Sequence, residues 1–276
     1  MKPLYIITAF VAIIIAVVVI ACNSSASNAD ITKTTAPLNI GGNTTNKHNW
    51  IGSWDRREWQ ADATLEVKSI KNDSLIFDLS SSDGGHTGEI EGSAFIKNNE
   101  ATFVSTEVKG CKLVMRIIGD SVINITDQNT CISYGGMGVG FSGRFINTKI
   151  LPKEKAQTLV GLNILDTKQD AIFRALVDTG YQRFVDCTEM IEDRTGQKPL
   201  DNFDAKVIAS GVRGLYMYME YIIMIDKQDH IWAAVINDNK VFYYTNSKQY
   251  ADKLPNTIED WRSGFKDYPV IYKAKI

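Results

Sequence analysis

The feature that most constrains this chain is a series of short alternating segments between Trp50 and Lys149, separated by turn residues. Leu65 and Val67 alternate with Glu66 and Lys68, and Phe77 and Leu79 flank Asp78. Leu113, Met115 and Ile117 alternate with Val114 and Arg116, while Val139, Phe141 and Phe145 share a strand register. A period of two puts one set of side chains on each face of a strand. Turn signals punctuate the runs at Lys71-Asn72-Asp73, Asp83-Gly84-Gly85, Lys97-Asn98-Asn99, Gly119-Asp120 and Asp127-Gln128-Asn129. Short strands at such spacing predict an antiparallel sandwich or small barrel over residues 50–150.

Beyond Leu151-Pro152 the pattern changes, and residues 151–276 read as an α+β domain. Thr167-Lys168-Gln169-Asp170 has the form of a capping box, with Asp170 reaching back. Ile172, Ala175 and Leu176 follow at helical spacing, and Gly180 stands where a left-handed C-terminal residue is expected. A second helix is expected from Phe184 to Arg194. Strands follow at Val207–Ala209, Leu215–Ile225, Ile231–Ile236 and Val241–Tyr244, with turns at residues 226–229 and 237–239, which predicts an antiparallel meander. Asn256 and Glu259 can cap a last helix whose apolar face is Ile258, Trp261 and Phe265, and residues 270–275 form a final strand. No repeat relates the two halves.

Leu4 to Ala21 is an almost unbroken apolar run behind a short basic start, Met1-Lys2. Its length, roughly 18 residues, suits a transmembrane helix as well as a targeting segment. No basic stop-transfer patch follows. The run closes on Val19-Ile20-Ala21-Cys22, and this order resembles the signal peptide and lipobox of bacterial lipoproteins. The resemblance implies cleavage of residues 1–21 and a lipid on Cys22, such as palmitate, that anchors the chain to a membrane. It places the protein in a bacterial cell envelope. Asn23 is not the aspartate that marks inner-membrane retention in enterobacterial lipoproteins, so the resemblance favours the outer membrane where there is one, and the outer cell face otherwise. Residues 22–49, rich in Ser, Thr, Asn and Ala, cannot bury enough apolar surface to offset ordering and are expected to be a flexible tether. His48 lies in this stretch with no partner evident.

A tethered, non-cytosolic chain permits disulfides. Four cysteines are present, and with Cys22 lipidated three remain. Cys111 and Cys131 flank the Leu113–Ile125 hairpin and are predicted to pair; closing a loop of about 20 residues is worth roughly 3 kcal/mol. Gly52-Ser53-Trp54 resembles the Gly-x-Trp of the first strand in lipocalins and related calycin barrels, in which the Trp plugs one end. Together with residues 84–89, Gly110-Cys111-Lys112-Leu113, and the stretch from Tyr134-Gly135-Gly136-Met137-Gly138-Val139 to Phe141-Ser142-Gly143, it resembles a small β domain of uncharacterised bacterial lipoproteins. No activity is implied by that likeness.

Candidate chemistry is sparse. With a net charge of −2 there is no basic footprint for nucleic acid. Gly84-Gly85 and Gly135-Gly136-Met137-Gly138 lack the following helix and Lys of a phosphate loop, and fit turns and close strand approach. His86 with Glu89 and Glu91 falls short of the three or more converging ligands that a metal site needs, so neither a metal nor another cofactor is expected. Cys187 and His230 could form a thiol nucleophile and base, but Asp186 and Glu189 would raise the thiol pKa, and a buried structural thiol fits as well. Glu220, in an apolar strand beside Met219 and Tyr221, would be a general acid if it faces inward and an ordinary surface carboxylate if it does not.

The most suggestive stretch is Val212-Arg213-Gly214-Leu215-Tyr216-Met217-Tyr218-Met219, because Tyr, Met and Arg are enriched at recognition surfaces. Trp232, Tyr243, Tyr244 and Tyr250 follow in the same meander. If Tyr216, Tyr218, Trp232 and Tyr243 are exposed they form a binding patch; otherwise they are the core of the sheet. The expectation is a non-enzymatic envelope lipoprotein that binds or inhibits an envelope or extracellular protein, or a wall component. An envelope hydrolase using Cys187, His230 or Glu220 and a purely structural lipoprotein are the alternatives. Envelope lysozyme inhibitors include small β-rich lipoproteins, which the chain resembles in anchoring and in the size of its β domain only.

Overall fold

The computed structural model describes residues 48–194 and 200–276. The expected signal peptide, the lipidation at Cys22 and most of the tether lie outside the described residues.

Eight antiparallel strands close a barrel in sequence order. They are Gly52–Arg56 (β1), Ala63–Lys71 (β2), Ser74–Asp83 (β3), His86–Lys97 (β4), Glu100–Val104 (β5), Lys112–Ile118 (β6), Val122–Thr126 (β7) and Gly143–Asn147 (β8). Strand β1 pairs with β8 through Trp54↔Asn147 and Asp55↔Ile146. The inward residues are the ones the alternation marks, including Leu65, Val67, Phe77, Leu79, Leu113, Met115 and Ile117. Burial of each such large side chain stabilises by roughly 1.5–3 kcal/mol. Trp54 lies wholly inside, its indole N–H donating to the Trp50 carbonyl at 3.0 Å. The turns between strands fall where the sequence signals them, and Asn72 and Asp73 both take positive φ, as a two-residue hairpin of right-handed twist requires.

Cys111 and Cys131 form a disulfide across a separation of 20 residues. Val139 and Phe141 are buried, but in the loop before β8 rather than in a strand. Positive φ at Gly138 and Gly143 interrupts the extended backbone on both sides of them. The tether also ends sooner than composition suggests. Asn49 donates its N–H to Asp120 at 3.0 Å, and His48 lies 3.6 Å from the same carboxylate.

The second half is a six-stranded mixed sheet in the order β14-β13-β12-β11-β10-β9. The chain first makes two helices, Thr167–Val177 (α1) and Tyr181–Asp186 (α2). The strands are Met190–Asp193 (β9), Ala205–Gly211 (β10), Glu220–Asp226 (β11), Ile231–Asn237 (β12), Lys240–Thr245 (β13) and Val270–Ala274 (β14), and a last helix, Asn256–Trp261 (α3), precedes β14. Strands β9 to β13 pair antiparallel, so the expected meander runs through β10–β13, but β14 joins β13 in parallel. The crossover through α3 returns the chain to the end at which β13 begins, as a parallel neighbour demands. The helices are short, α2 and α3 having 6 residues each, so the sheet dominates.

Several local expectations are displaced. The capping box of α1 is Asp166 with Gln169, the Gln169 N–H donating to Asp166 at 2.8 Å. Asp170 instead faces inward and accepts from Tyr181 Oη and Arg174 Nε, each at 2.6 Å. Gly180 has an ordinary right-handed φ; a Cβ there would collide with the Tyr244 hydroxyl. The helix expected from Phe184 to Arg194 stops at Asp186, and Met190–Asp193 pairs with β10 instead. Asn256 does not cap α3 through its side chain; Asp201 accepts from the Asn256 and Thr257 N–H groups at 2.8 Å each.

Barrel and sheet belong to one compact unit of contacts. Trp59 Nε1 donates to Thr188 O at 2.6 Å and Gln60 Nε2 to Asp186 O at 2.9 Å. Among the described residues no helix is long and apolar enough to cross a membrane.

Candidate functional site

The loop between β10 and β11 carries the Tyr- and Met-rich stretch. The sequence suggests a strand from Leu215 onward, but β11 starts only at Glu220. Two residues with left-handed backbone, Gly214 at φ 74° and Met217 at φ 71°, fold the segment into consecutive turns. The Leu215 N–H donates to Val212 O at 2.9 Å and Tyr218 N–H to Leu215 O at 3.0 Å, while Val212 N–H donates to Met219 O and closes the base. Left-handed φ at a non-glycine residue is unfavourable and needs outside support. Here Glu220 Oε1 accepts the Met217 N–H at 2.8 Å. The turns leave Tyr216, Met217 and Tyr218 pointing outward, 48%, 43% and 59% exposed.

Arg213 pins this loop to the barrel. Its guanidinium lies 3.2 Å from Asp83 at the end of β3 and 3.6 Å from Glu189. Its own N–H donates to Glu189 Oε2 at 2.9 Å, and its carbonyl accepts from Gly85 N–H at 2.8 Å. Charge-assisted bonds of this kind contribute roughly 1.5–3 kcal/mol when shielded from water. Three glycines of the two glycine-rich stretches make room for this contact. A Cβ on Gly84 would meet Arg213 O at 2.6 Å, one on Gly85 would meet Leu215 Cγ at 2.7 Å, and one on Gly138 would run into the Arg213 guanidinium.

Arg213 also donates to Met190 Sδ at 3.4 Å. Met190, on β9, is exposed, as is Met137, the chain neighbour of Gly138. Met190, Ile191 and Tyr216 share a hollow of about 280 Å³ with Glu220 and Trp261. Met190 thus joins the Arg213 ion cluster to a hollow that Tyr216 and Ile191 share.

The other candidates are not gathered there. Trp232 and Tyr243 are core residues, 4% and 0% exposed, a correction to their reading as patch members. Strands β12 and β13 are covered on both faces, so alternation turns their aromatic rings into one buried layer or the other. Trp232 stacks on Phe203 at 4.4 Å, and Tyr243 packs edge-on against Tyr272 at 5.7 Å. Tyr244 is buried as well, while Tyr250 is half-buried beside Trp232.

Cys187 is buried in the layer beneath α1 and α2, and burial pushes its thiol up to about 12. His230 sits at the exposed β11–β12 turn, bonded through Nδ1 to Asp226 at 2.8 Å, and no contact joins it to Cys187. Glu220 is half-buried and desolvation raises its pKa, but its carboxylate is already used by the Met217 N–H. His86 fills the space between Gly136 and Gly214 at the seam. Glu89 and Glu91 are exposed on β4, and no group of three or more His, Cys, Asp or Glu able to hold a metal occurs among the described residues.

Sequence reasoning missed Arg213, Asp83 and Glu189 as a linked set. The signal available was the pairing of small glycine runs in the barrel with an Arg-Gly in the distant loop, which no periodicity connects. No family model, no curated protein and no solved structure matches this chain.

Proposed function

We propose that this chain is a non-enzymatic binding module of a bacterial envelope, held at a membrane by a lipid on Cys22, that recognises an envelope or extracellular protein through the surface around Tyr216, Met217 and Tyr218. One observation supports this best. Three consecutive large side chains are held outward by a loop that is itself clamped to the barrel, and exposed Met190 and Ile191 share a hollow with Tyr216. A rigid scaffold lowers the ordering cost of the residues that make contact, and Tyr and Met supply adaptable apolar area. The anchoring rests on the lipobox resemblance of Val19-Ile20-Ala21-Cys22, and the calycin-like reading of the barrel rests on Gly52-Ser53-Trp54 and its eight-stranded closure. In the second half the short helices support an α+β reading as far as they cover the sheet.

The test is capture from envelope extract with residues 23–276 as bait, read by mass spectrometry. A single saturable protein retained by the wild type and lost by Tyr216→Ala/Tyr218→Ala, with both proteins equally folded, supports the reading. Retention of that protein by the double variant, or background alone, counts against it.

A further inference from the structure

The barrel wall is incomplete between β4 and β5. Strand β4 pairs with β3 along its length, from Asp83↔His86 to Ser74↔Phe95. It pairs with β5 only at Phe95↔Thr102, Ile96↔Ala101 and Lys97↔Glu100. At its other end a single bridge, Gly88↔Gly135, ties it to the loop before β8. In an antiparallel ladder successive residues turn their backbone groups to opposite neighbours. The Asp83–His86 hairpin aims the even-numbered residues of β4 at β3 and the odd-numbered ones away. Two bonds agree with that phase: Gly136 N–H reaches Thr87 O on the outer side, and Ile96 N–H reaches Asp73 O on the β3 side. The N–H and C=O groups of Glu91 and Ser93 therefore point into the gap, beyond the last β4–β5 pair at Phe95↔Thr102. Across the gap, Val104 of β5 is in the same phase as the paired Thr102, with its side chain exposed.

The gap is a groove of about 1020 Å³. Its floor is apolar. Phe103 lies against Gly92, where a Cβ would meet its ring at 2.7 Å, and packs edge-on to Phe77 at 5.4 Å. Tyr134, bonded through its hydroxyl to Ser105 at 2.6 Å, closes one end. The lips are acidic: Asp78, Glu89, Glu91 and Glu107 line the groove and Lys68 is the one cation there. Asp78 and Glu91 are direct cross-strand partners, and Lys68 already relieves that like-charge pair by bonding to Asp78; Glu89, Glu91 and Glu107 make no ion pair among the described residues and leave the lips net acidic.

We infer that this groove accepts an extended segment of another protein that adds as a strand along the open edge of β4, with basic side chains alternating with apolar ones. The backbone of Glu91 and Ser93 supplies the ladder bonds of strand addition. Inward side chains of the segment rest on Phe103, and outward ones meet Glu89 and Glu91. This site stands apart from the Tyr216–Tyr218 surface and does not depend on it.

The test uses the full chain in a mild non-ionic detergent and two short blocked peptides, one alternating Lys and Val, the other Glu and Val. Calorimetry is expected to show saturable binding of the Lys peptide and none of the Glu peptide. Hydrogen exchange is expected to slow over residues 89–93. Glu91→Pro removes an N–H that no barrel ladder uses, so the variant is expected to keep its melting temperature and to bind at least about tenfold more weakly. Should Glu91→Pro misfold, Glu89→Lys/Glu91→Lys keeps every backbone group and is expected to reverse the preference toward the Glu peptide. Tyr216→Ala/Tyr218→Ala is expected to bind the Lys peptide as the wild type does. The inference is overturned if the Lys peptide does not bind, if protection appears elsewhere, or if the folded charge-reversal variant keeps the wild-type preference. In that case Glu89 and Glu91 are charges that guard an open edge against unwanted pairing.

Discussion

The barrel and the six-stranded sheet hide their aromatic residues by different means. In the barrel only one face of each strand is covered, so apolar and polar residues alternate and the inward set can be read directly, as in the run of Ala63, Leu65 and Val67. In the sheet, β11 and β12 are covered on both faces, and six of the seven residues of β12 are buried without alternation. There an aromatic side chain gives no sign of which layer it joins, or whether it is exposed at all. Trp232 and Tyr218 look alike in composition and context, yet one is in a core and the other in solvent. The difference is made by neighbouring elements, not by the strand's own sequence.

That contrast can be tested by substitution. The largest effect is expected for Trp232→Ala, which removes a ring stacked on Phe203 and should destabilise by about 3–5 kcal/mol in urea unfolding. A cost below about 1 kcal/mol would mean the second layer is not packed as described. In the barrel, replacing both Cys111 and Cys131 by Ala should cost roughly 3 kcal/mol, and reductant should have the same effect on the wild type but none on the variant. Arg213→Ala breaks the clamp between the two regions and should cost about 1–3 kcal/mol. Proteolysis within residues 212–219 should rise in that variant, and an unchanged cleavage pattern would show that the loop holds without it.

A pH experiment separates the regions further. Burial raises the Cys187 thiol to about 12 from an ordinary 9.0 and the Tyr181 hydroxyl to about 12 from 10.0. Both groups sit in the sheet half. Each stays protonated when folded after its unfolded counterpart has ionised, so its contribution is full below the unfolded pKa and is lost as pH rises toward the folded one. Stability should therefore decline from about pH 9 upward, less steeply in Cys187→Ala. An alkaline decline identical in the variant would remove the thiol from the explanation. The smallest effect belongs to Tyr218→Ala, expected within about 0.5 kcal/mol of wild type. A larger loss would mean that the exposed ring supports the fold.

Much of the architecture was legible in the residues. Strands β2, β3 and β6, the turns of the barrel half and the Cys111–Cys131 pair followed from alternation, Asn-Asp and Gly signals and hairpin spacing. The site was legible only as a suggestive string, residues 212–219. Its conversion from strand to clamped loop depends on Gly214 and Met217 adopting left-handed backbone, and on Glu189, Asp83 and Glu220 arriving from three other elements. The cap of α3 was misplaced for the same reason, since Asp201 supplies it from 55 residues away.

What the sequence determined by itself is whatever a local period carries: which barrel residues face inward, where hairpins turn, and which cysteines lie close enough to join. Those outcomes need only the geometry of a pleated strand and a tight turn. Tertiary structure alone decided which aromatic residues are buried, why Gly84, Gly85 and Gly138 lie beside Arg213, and where the barrel wall stays open. Each of these depends on a surface contributed by residues far away in the chain, and no period along one segment records the presence of another.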